Sequence, residues 1–524
     1  MFQATFFYSR NKQKGSSFLN IYQNIHFVLD LISAFCIHIL MHHLVSTLLE
    51  SFPLSVLLSG LIAMGLLSWL RPKGRISFYH SKDNQLTLTK ASGTAAKEQT
   101  TFVDVCRSAT PDTCNLNPFL FNGHLQTFWT VLKHDNVPVY YKRKMFESDS
   151  PAFTGQYAID FVVAPYDMPK DPELTDQARR YTQESGMPPR TSFFTQDEFA
   201  DLPSDDTKPM LVVLHGLSGG SHEVYLRHIL APLVKDGAWE ACVVNSRGCS
   251  QTKISTGVLY NARATWDVRQ SVKWIRRKFP NRPLFGIGFS LGANILANYL
   301  GEEGDACQLK AAVLCASPWN LDVSSSYLQS TWIGKEVYSK TMGASMKRLF
   351  EQHVEAISKN PRIDVDAVRN STYLHEFDRA LQCPSWGYPT EGAYYRDAAS
   401  TDSMLAIRIP FLSVQAEDDP IACRASLPFH EMTQTPYGVM LTTSWGGHLG
   451  WFEFGGSRWF VKPVTTFLNK MAREIDTQIP SIVEHPEKLP GNIAHHDDPN
   501  KDPDMAPKPE FNPMRRKLAL PLGQ

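Results

Sequence analysis

Neither charge sign is in surplus: 52 lysines and arginines face 52 aspartates and glutamates, a formal net charge of zero. Binding to nucleic acid draws on a basic excess that this chain lacks, and no acidic tail points to a basic partner. The nine cysteines are odd in number and scattered, with no CxxC pair and no Cys/His cluster. That argues against a disulfide framework and a zinc site, and for a reducing compartment. Catalysis, if any, is therefore expected without metal or cofactor. The first twenty residues contain no acidic side chain and no small-residue cleavage site beside a short apolar core, so a secretory signal is not indicated. Arg10, Lys12 and Lys14 leave room for a weak mitochondrial presequence.

Two apolar segments follow. Residues 27–49 are long enough to span a bilayer but carry Asp30, His38, His42 and His43, while residues 54–70 carry no charge. A helix over 54–70 would be roughly 25 Å long, close to the ~30 Å hydrocarbon thickness. Arg71, Lys73 and Arg75 flank the second segment as Arg10, Lys12 and Lys14 flank the first. The positive-inside rule then puts both ends in the cytosol. The expectation is an N-terminal membrane anchor over residues 1–75, with one or two helices or a shallow hairpin of the kind that sits on a lipid droplet. Residues 76–113 read as a linker. Asn370-Ser371-Thr372 is a glycosylation sequon, and glycan there would contradict a cytosolic catalytic domain.

From residue 114 the pattern becomes that of a folded domain ending near 475. Residues 117–129, Asn-Pro-Phe-Leu-Phe-Asn-Gly-His-Leu-Gln-Thr-Phe-Trp, read as a packed loop or helix start with His124 hydrogen-bonded inside. Residues 137–146 and 156–163 read as paired strands, and 165–207, rich in Pro, Asp, Glu and Thr, as a surface insertion. Buried strands are then expected at 210–214, 241–244, 284–287, 311–316, 409–414 and 439–443. Helices are expected at 221–234, 262–279, 293–300 and 459–475. This alternation predicts an α/β fold with a mostly parallel, doubly wound sheet. Residues 319–403 interrupt the rhythm with one long helical pattern, 333–357, and a polar, aromatic stretch, and are expected to form a helical cap. After 476 the tail is dense in Pro, Asp, Lys and His and reads as disordered.

The chemistry centres on Gly288-Phe-Ser-Leu-Gly292, placed between the 284–287 strand and the helix after it. A GxSxG on a strand-to-helix turn exposes its serine above the sheet, and the glycines remove Cβ atoms from a tight bend. Chance alone supplies the pentapeptide in roughly one chain in six of this length, so its surroundings must carry the assignment. In doubly wound hydrolases the chain order is Ser, then Asp or Glu, then His. Asp418-Asp419 follows the 409–414 strand and His448, set among glycines, follows the last strand, so the order is met. Asp419 precedes Pro420-Ile421 and is the preferred acid, with Asp418 capping the turn. Oxyanion donors are expected from the backbone N–H of Leu291 and of Leu217, the latter in His215-Gly-Leu-Ser-Gly-Gly220. His215 itself reads as structural.

Those motifs, with Asn245-Ser-Arg-Gly248 and Gly446-Gly-His448, together resemble the AB hydrolase superfamily. The stretch Asn117-Pro-Phe-Leu-Phe-Asn-Gly-His-Leu-Gln-Thr127 is similar to the signature of its AB hydrolase 4 family, which includes fungal medium-chain fatty acid ethyl ester synthase/esterases. The resemblance covers roughly residues 114–475. It implies Ser290 as nucleophile, Asp419 as acid and His448 as base of an enzyme that hydrolyses fatty acyl esters through an acyl-enzyme. Water or a small alcohol such as ethanol would release the acyl group. Aromatic residues of the cap, Trp332, Tyr338, Phe350, Tyr394 and Tyr395, suit a lipophilic substrate, and each of them equally suits packing in a core. Location at a membrane or lipid droplet (endoplasmic reticulum, lipid droplet or mitochondrial outer membrane), with the catalytic domain in the cytosol, is the matching expectation. The alternatives are a phospholipase or monoacylglycerol lipase, and a catalytically silent, membrane-tethered binding protein.

Overall fold

A computed structural model of the chain describes residues 59–60, 73–91, 98–133, 137–150, 153–166, 187–188, 190–476, 481–482 and 512–514. The chain divides into two units, Met1–Arg71 and Pro72–Gln524, and everything below belongs to the second. The expected membrane segments 27–49 and 54–70 lie outside the described residues except for Ser59 and Gly60. Among the described residues no helix is long and apolar enough to cross a membrane.

The centre is a ten-stranded sheet. Its strands in chain order are β1 (Ile76–His80), β4 (Tyr140–Glu147), β5 (Gln156–Val163), β6 (Thr191–Phe193), β7 (Met210–Leu214), β8 (Glu240–Asn245), β9 (Leu284–Phe289), β10 (Leu309–Cys315), β11 (Phe411–Ala416) and β12 (Gly438–Thr443). Strands β2 (Leu86–Thr89) and β3 (Gln99–Thr101) belong, with β13 (Ser481–Ile482), to a small separate sheet. Across the large sheet the order is β1-β12-β11-β10-β9-β7-β8-β5-β4-β6. The six neighbours from β12 to β8 are parallel. Every residue of β7, β9, β11 and β12 is buried. Parallel strands covered on both faces read as continuous apolar runs rather than alternating ones, which is why they are legible in the sequence.

The covering helices include α1 (Phe102–Ala109), α3 (Val224–Val234), α4 (Thr265–Lys278) and α5 (Leu291–Glu303), while α2 (Gly123–Leu132) lies against the loops that follow β11 and β12. The last of the framework helices is Val461–Arg473. Its buried face, Val464, Phe467, Leu468 and Met471, recurs at three- and four-residue spacing, and Phe467 meets Phe102 of α1 edge-on at 6.0 Å. Arg276, Arg277 and Lys278 occupy the last turn of α4, where the helix dipole favours cations.

Several expectations need correction. Residues 165–207 are not wholly a surface insertion, because β6 within them pairs parallel with β4 at the edge of the large sheet. Residues 76–113 are not a linker: β1 pairs antiparallel with β12 from Ile76–Thr443 to His80–Val439, and α1 supplies core residues. Three apolar or aromatic positions, Ile76, Phe78 and Tyr79, interrupted by Ser77 and all only half-buried, hid an edge strand. The tail after 476 is also not wholly without structure, because Ser481–Ile482 pairs with Leu86–Thr87; its remainder, apart from 512–514, lies outside the described residues.

Between β10 and β11 the chain leaves the sheet and builds helices over its edge. These include α6 (Leu321–Ser330), α7 (Lys340–Ile357) and short helical segments at Val365–Asn370, Leu374–Phe377, Cys383–Trp386 and Glu391–Ala398. The single helix expected over 333–357 is instead a π-helical turn, Gly334–Ser339, continuing into α7. A Cβ at Gly334 would lie 2.3 Å from the Leu328 carbonyl oxygen, so the wider turn packs against α6 only because this residue is glycine. The cap has its own apolar core, with Met346, Phe350, Phe377 and Leu381 packed against Leu259 and Tyr260 of the framework.

Candidate active site

Ser290 caps the first turn of α5 with φ 52° and ψ −121°, a conformation that L-residues rarely adopt. Such strain persists only where neighbours enforce it. Ser290 N–H donates to the Cys315 carbonyl at the end of β10. The flanking glycines leave no room for side chains: a Cβ on Gly288 would sit 2.5 Å from Gly292 O, and one on Gly292 would sit 2.3 Å from His215 O. The sharp bend and the close approach of the β7 loop thus both depend on the pentapeptide.

Two strand-end loops bring the other groups to this serine. Ser290 Oγ donates to His448 Nε2 at 2.8 Å, and His448 Nδ1 donates to Asp419 Oδ2 at 2.7 Å. Asp419 Oδ1 accepts from the N–H groups of Ile421 (2.7 Å) and Ala422 (2.9 Å), so its carboxylate is fixed on both oxygens. Asp419 and His448 are buried, whereas Ser290 is part-exposed. A carboxylate can only accept, so it fixes the imidazole tautomer with Nε2 free to take the serine proton. Asp418, the residue next door, faces elsewhere. Its Oδ1 accepts from Gly446 N–H (2.9 Å) and Gly447 N–H (3.0 Å). Burial pushes its carboxyl up to about 6 against those hydrogen bonds.

The Asn-Gly-His-Leu-Gln-Thr stretch turns out to serve the histidine loop. Asn122 caps α2 by accepting from Leu125 N–H at 2.9 Å. Thr127 Oγ1 accepts from His448 N–H at 2.8 Å and donates to Gly123 O at 2.6 Å. Gln126 accepts from Phe452 N–H (2.8 Å) and donates to Leu120 O (3.0 Å). Gly447 and Gly123 approach so closely that a Cβ on Gly447 would lie 2.4 Å from Gly123 O. Residue typing alone could not reveal Gln126 and Thr127 as supports, because the groups they support, Phe452 N–H and His448 N–H, are more than 300 positions away. His124, expected inside, is exposed and meets the Tyr338 hydroxyl through Nδ1 at 2.9 Å. It borders the site as a link between α2 and the cap. Thr127→Val keeps the shape but strands the His448 N–H. Small displacements of a catalytic group cost up to about 10²-fold, and the expected loss in kcat is about tenfold with KM little changed, read from steady-state kinetics on a soluble ester.

The N–H groups of Leu217 and Leu291 make no hydrogen bond among the described residues. On either side of Leu217 the backbone is already engaged: Gly216 N–H donates to Tyr225 Oη and Ser218 N–H to Tyr260 Oη, both at 2.9 Å. Two tyrosines therefore hold the loop and leave one donor open between them. His215 is structural, as expected: it is buried, Nε2 accepts from Ser246 N–H at 3.0 Å, and burial pushes its pKa down to about 4. Beneath this loop Arg143 and Asp160, fully buried, form a two-pronged ion pair (2.6 and 2.7 Å), and Asp160 also accepts from Ser221 and Asn245.

Two cavities meet at Ser290. One is lined by His448, Leu449, Gly216, Ser218, His222 and Arg227. The other runs under the cap, lined by Leu291, Leu321, Leu328, Met342, Met346 and Leu374 among others, and does not include His448. Of the cap aromatics expected to greet substrate, Tyr394 and Tyr395 line this second cavity. Phe350 lies in the cap core, Trp332 is 74% exposed, and Tyr338 sits against His124.

The sequence model described as alpha/beta hydrolase fold matches residues 209–427. A monoacylglycerol lipase of Saccharomyces cerevisiae is 36% identical over 69% of this chain and 82% of its own length. A medium-chain fatty acid ethyl ester synthase/esterase 2 of the same yeast is 30% identical over 71% of this chain and 90% of its own. A phospholipase ABHD3 of Mus musculus is 27% identical over 57% and 69%. With the elbow, the parallel sheet and these relatives in agreement, the chain belongs to the α/β-hydrolase family.

Proposed function

We propose that the chain is a serine-dependent carboxylic ester hydrolase and acyltransferase acting on fatty acyl esters. The observation that carries this reading is the unbroken hydrogen-bond chain Ser290–His448–Asp419. Ser290 Oγ attacks the acyl carbonyl carbon while its proton passes to His448 Nε2, and Asp419 stabilises the imidazolium. The carbonyl oxygen becomes an anion held by the Leu217 and Leu291 N–H groups, each such donor typically contributing roughly 10²–10³ in rate. The tetrahedral intermediate collapses, the C–O bond to the alcohol breaks, and His448 returns the proton to the leaving oxygen. Water or an alcohol, deprotonated by His448, then attacks the acyl-enzyme and frees Ser290. An alcohol such as ethanol at that step gives an ester in place of an acid.

The leaving oxygen must lie near His448 Nε2, so the alcohol belongs in the cavity that His448 lines and the acyl chain in the cavity under the cap. Medium-length chains and ethanol are suggested by the yeast synthase/esterase. The monoacylglycerol reading is favoured by one observation: Ser218, His222 and Arg227 line the alcohol-side cavity and suit a polar alcohol such as glycerol. A lipid surface as the working place is supported by where apolar groups are exposed. Among the described residues the exposed large apolar side chains lie within 119–132 and 327–337 or at Phe454. The first two stretches border the site, and patches of this kind mark interaction surfaces. Purified protein assayed on ethyl, p-nitrophenyl and monoacylglycerol esters of graded chain length, with and without ethanol and phosphatidylcholine vesicles, tests all three elements. Hydrolysis of medium-chain esters, ethyl ester formation with ethanol, and faster turnover of vesicle-borne substrate are expected. No hydrolysis of any ester would end the proposal.

A further inference from the structure

We propose that Ser324, His375 and Asp378 form a polar subsite in the cavity under the cap, and that it takes an acyl chain bearing a hydroxyl or oxo group remote from the ester. The inference rests on the ester-hydrolase reading and names the substrate class of that same site.

Most polar side chains in the wall of this cavity are already engaged. Tyr394 Oη accepts from Ala262 N–H (2.8 Å), and Gln382 donates to Tyr260 O (3.3 Å) while accepting from Trp386 (3.0 Å). Ser339 accepts from Leu374 N–H (3.2 Å), and Ser325 accepts from Gln329 (3.1 Å). Two are different. Ser324, 4% exposed, and His375 both line the cavity, yet Ser324 Oγ and His375 Nδ1 are buried with no partner among the described residues. The His375 ring is held by stacking on Tyr373 with centroids 5.8 Å apart. Asp378, 6% exposed, lines the same cavity and accepts from Tyr395 Oη through Oδ2 at 2.7 Å.

The chemistry of the three groups is mixed. Burial keeps the His375 pKa low and the ring neutral, so Nδ1 accepts or donates according to tautomer. Burial also pushes the Asp378 carboxyl up to about 7, so near neutrality it both donates and accepts. A hydroxyl matches such a set in either direction, and an oxo group matches its donors. A saturated chain would seal Ser324 and His375 from water and offer nothing in return, which is the basis on which sites built for a hydroxyl reject analogues lacking it. The lipid-like apolar wall and the polar cluster together therefore select an oxygenated acyl chain over a plain one.

The full-length protein would be assayed on p-nitrophenyl decanoate and on a panel of decanoates carrying one hydroxyl at successive carbons from the seventh outward. At least one isomer is expected to exceed the parent in kcat/KM by about tenfold, and Ser324→Ala and His375→Phe to lower that ratio by about tenfold each, mainly through KM. A merely structural role would slow both substrates alike and leave the ratio unchanged. A ratio at or below one for every isomer, or a ratio untouched by both variants, overturns the subsite while leaving the esterase reading intact. Failure to cleave the parent and the whole panel overturns both.

Discussion

Ser290→Ala is expected to lower turnover of p-nitrophenyl octanoate by roughly 10⁴-fold or more, leaving the remnant rate that an oxyanion hole and binding alone supply. The size follows from the geometry. Without Oγ no acyl-enzyme forms, and His448 has only a water in an unprepared position to deprotonate. About 5.5 kcal/mol of transition-state stabilisation is at stake, since each tenfold is about 1.4 kcal/mol. Folding should be little affected, because alanine keeps the Cβ and the same strained φ of 52° and only a part-exposed hydroxyl is removed. Circular dichroism of the variant checks that point, and labelling by a fluorophosphonate probe should disappear with the hydroxyl. A wild-type chain that resists the probe would instead favour a silent binding protein, and near-normal activity of Ser290→Ala would sink the nucleophile assignment.

Asp419→Asn is the second large effect, an expected loss of about 10³–10⁴-fold in kcat at neutral pH. The amide nitrogen facing His448 Nδ1 would force the proton onto Nε2, the atom that must accept from Ser290. The backbone bonds from Ile421 and Ala422 survive on the remaining oxygen, so the loop keeps its place. The neighbouring variant Asp418→Asn is the control. It keeps one oxygen to accept from Gly446 and Gly447 and touches no proton-transfer atom, so a loss of about tenfold or less is expected, in line with a positioning role. If Asp418→Asn proved the more damaging of the pair, the acid would have been assigned to the wrong carboxylate. Parallel kcat and KM measurements on both variants decide it.

The two aspartates show where sequence reasoning reaches its limit. The Asp-x-hydrophobic pattern pointed to Asp419 because a carboxylate there bonds the N–H groups two and three residues on, a local event. That Asp418 would bind a glycine loop 28 positions later is not local, and no pattern announces it. The same division runs through the NGHLQT stretch. Its turn and helix start are written in Asn122-Gly123, but His124, the residue most conspicuous by chemistry, is exposed, while the quieter Thr127 supports His448. Edge strand β1 is not legible in the sequence because a half-exposed strand carries no continuous apolar run. The central strands were found to within a few residues because burial on both faces leaves no alternative composition.

What the sequence by itself determined is the parallel sheet, the elbow at Ser290 and the order of serine, acid and histidine, since these follow from continuous apolar runs, glycines where no Cβ fits, and strand-end loops. Only the tertiary structure shows that two cavities meet at Ser290, one lined by His448 and one roofed by the cap, and which polar groups under the cap lack partners among the described residues. Those properties depend on elements hundreds of residues apart converging on one point, and convergence is a matter of packing that no window of residues encodes.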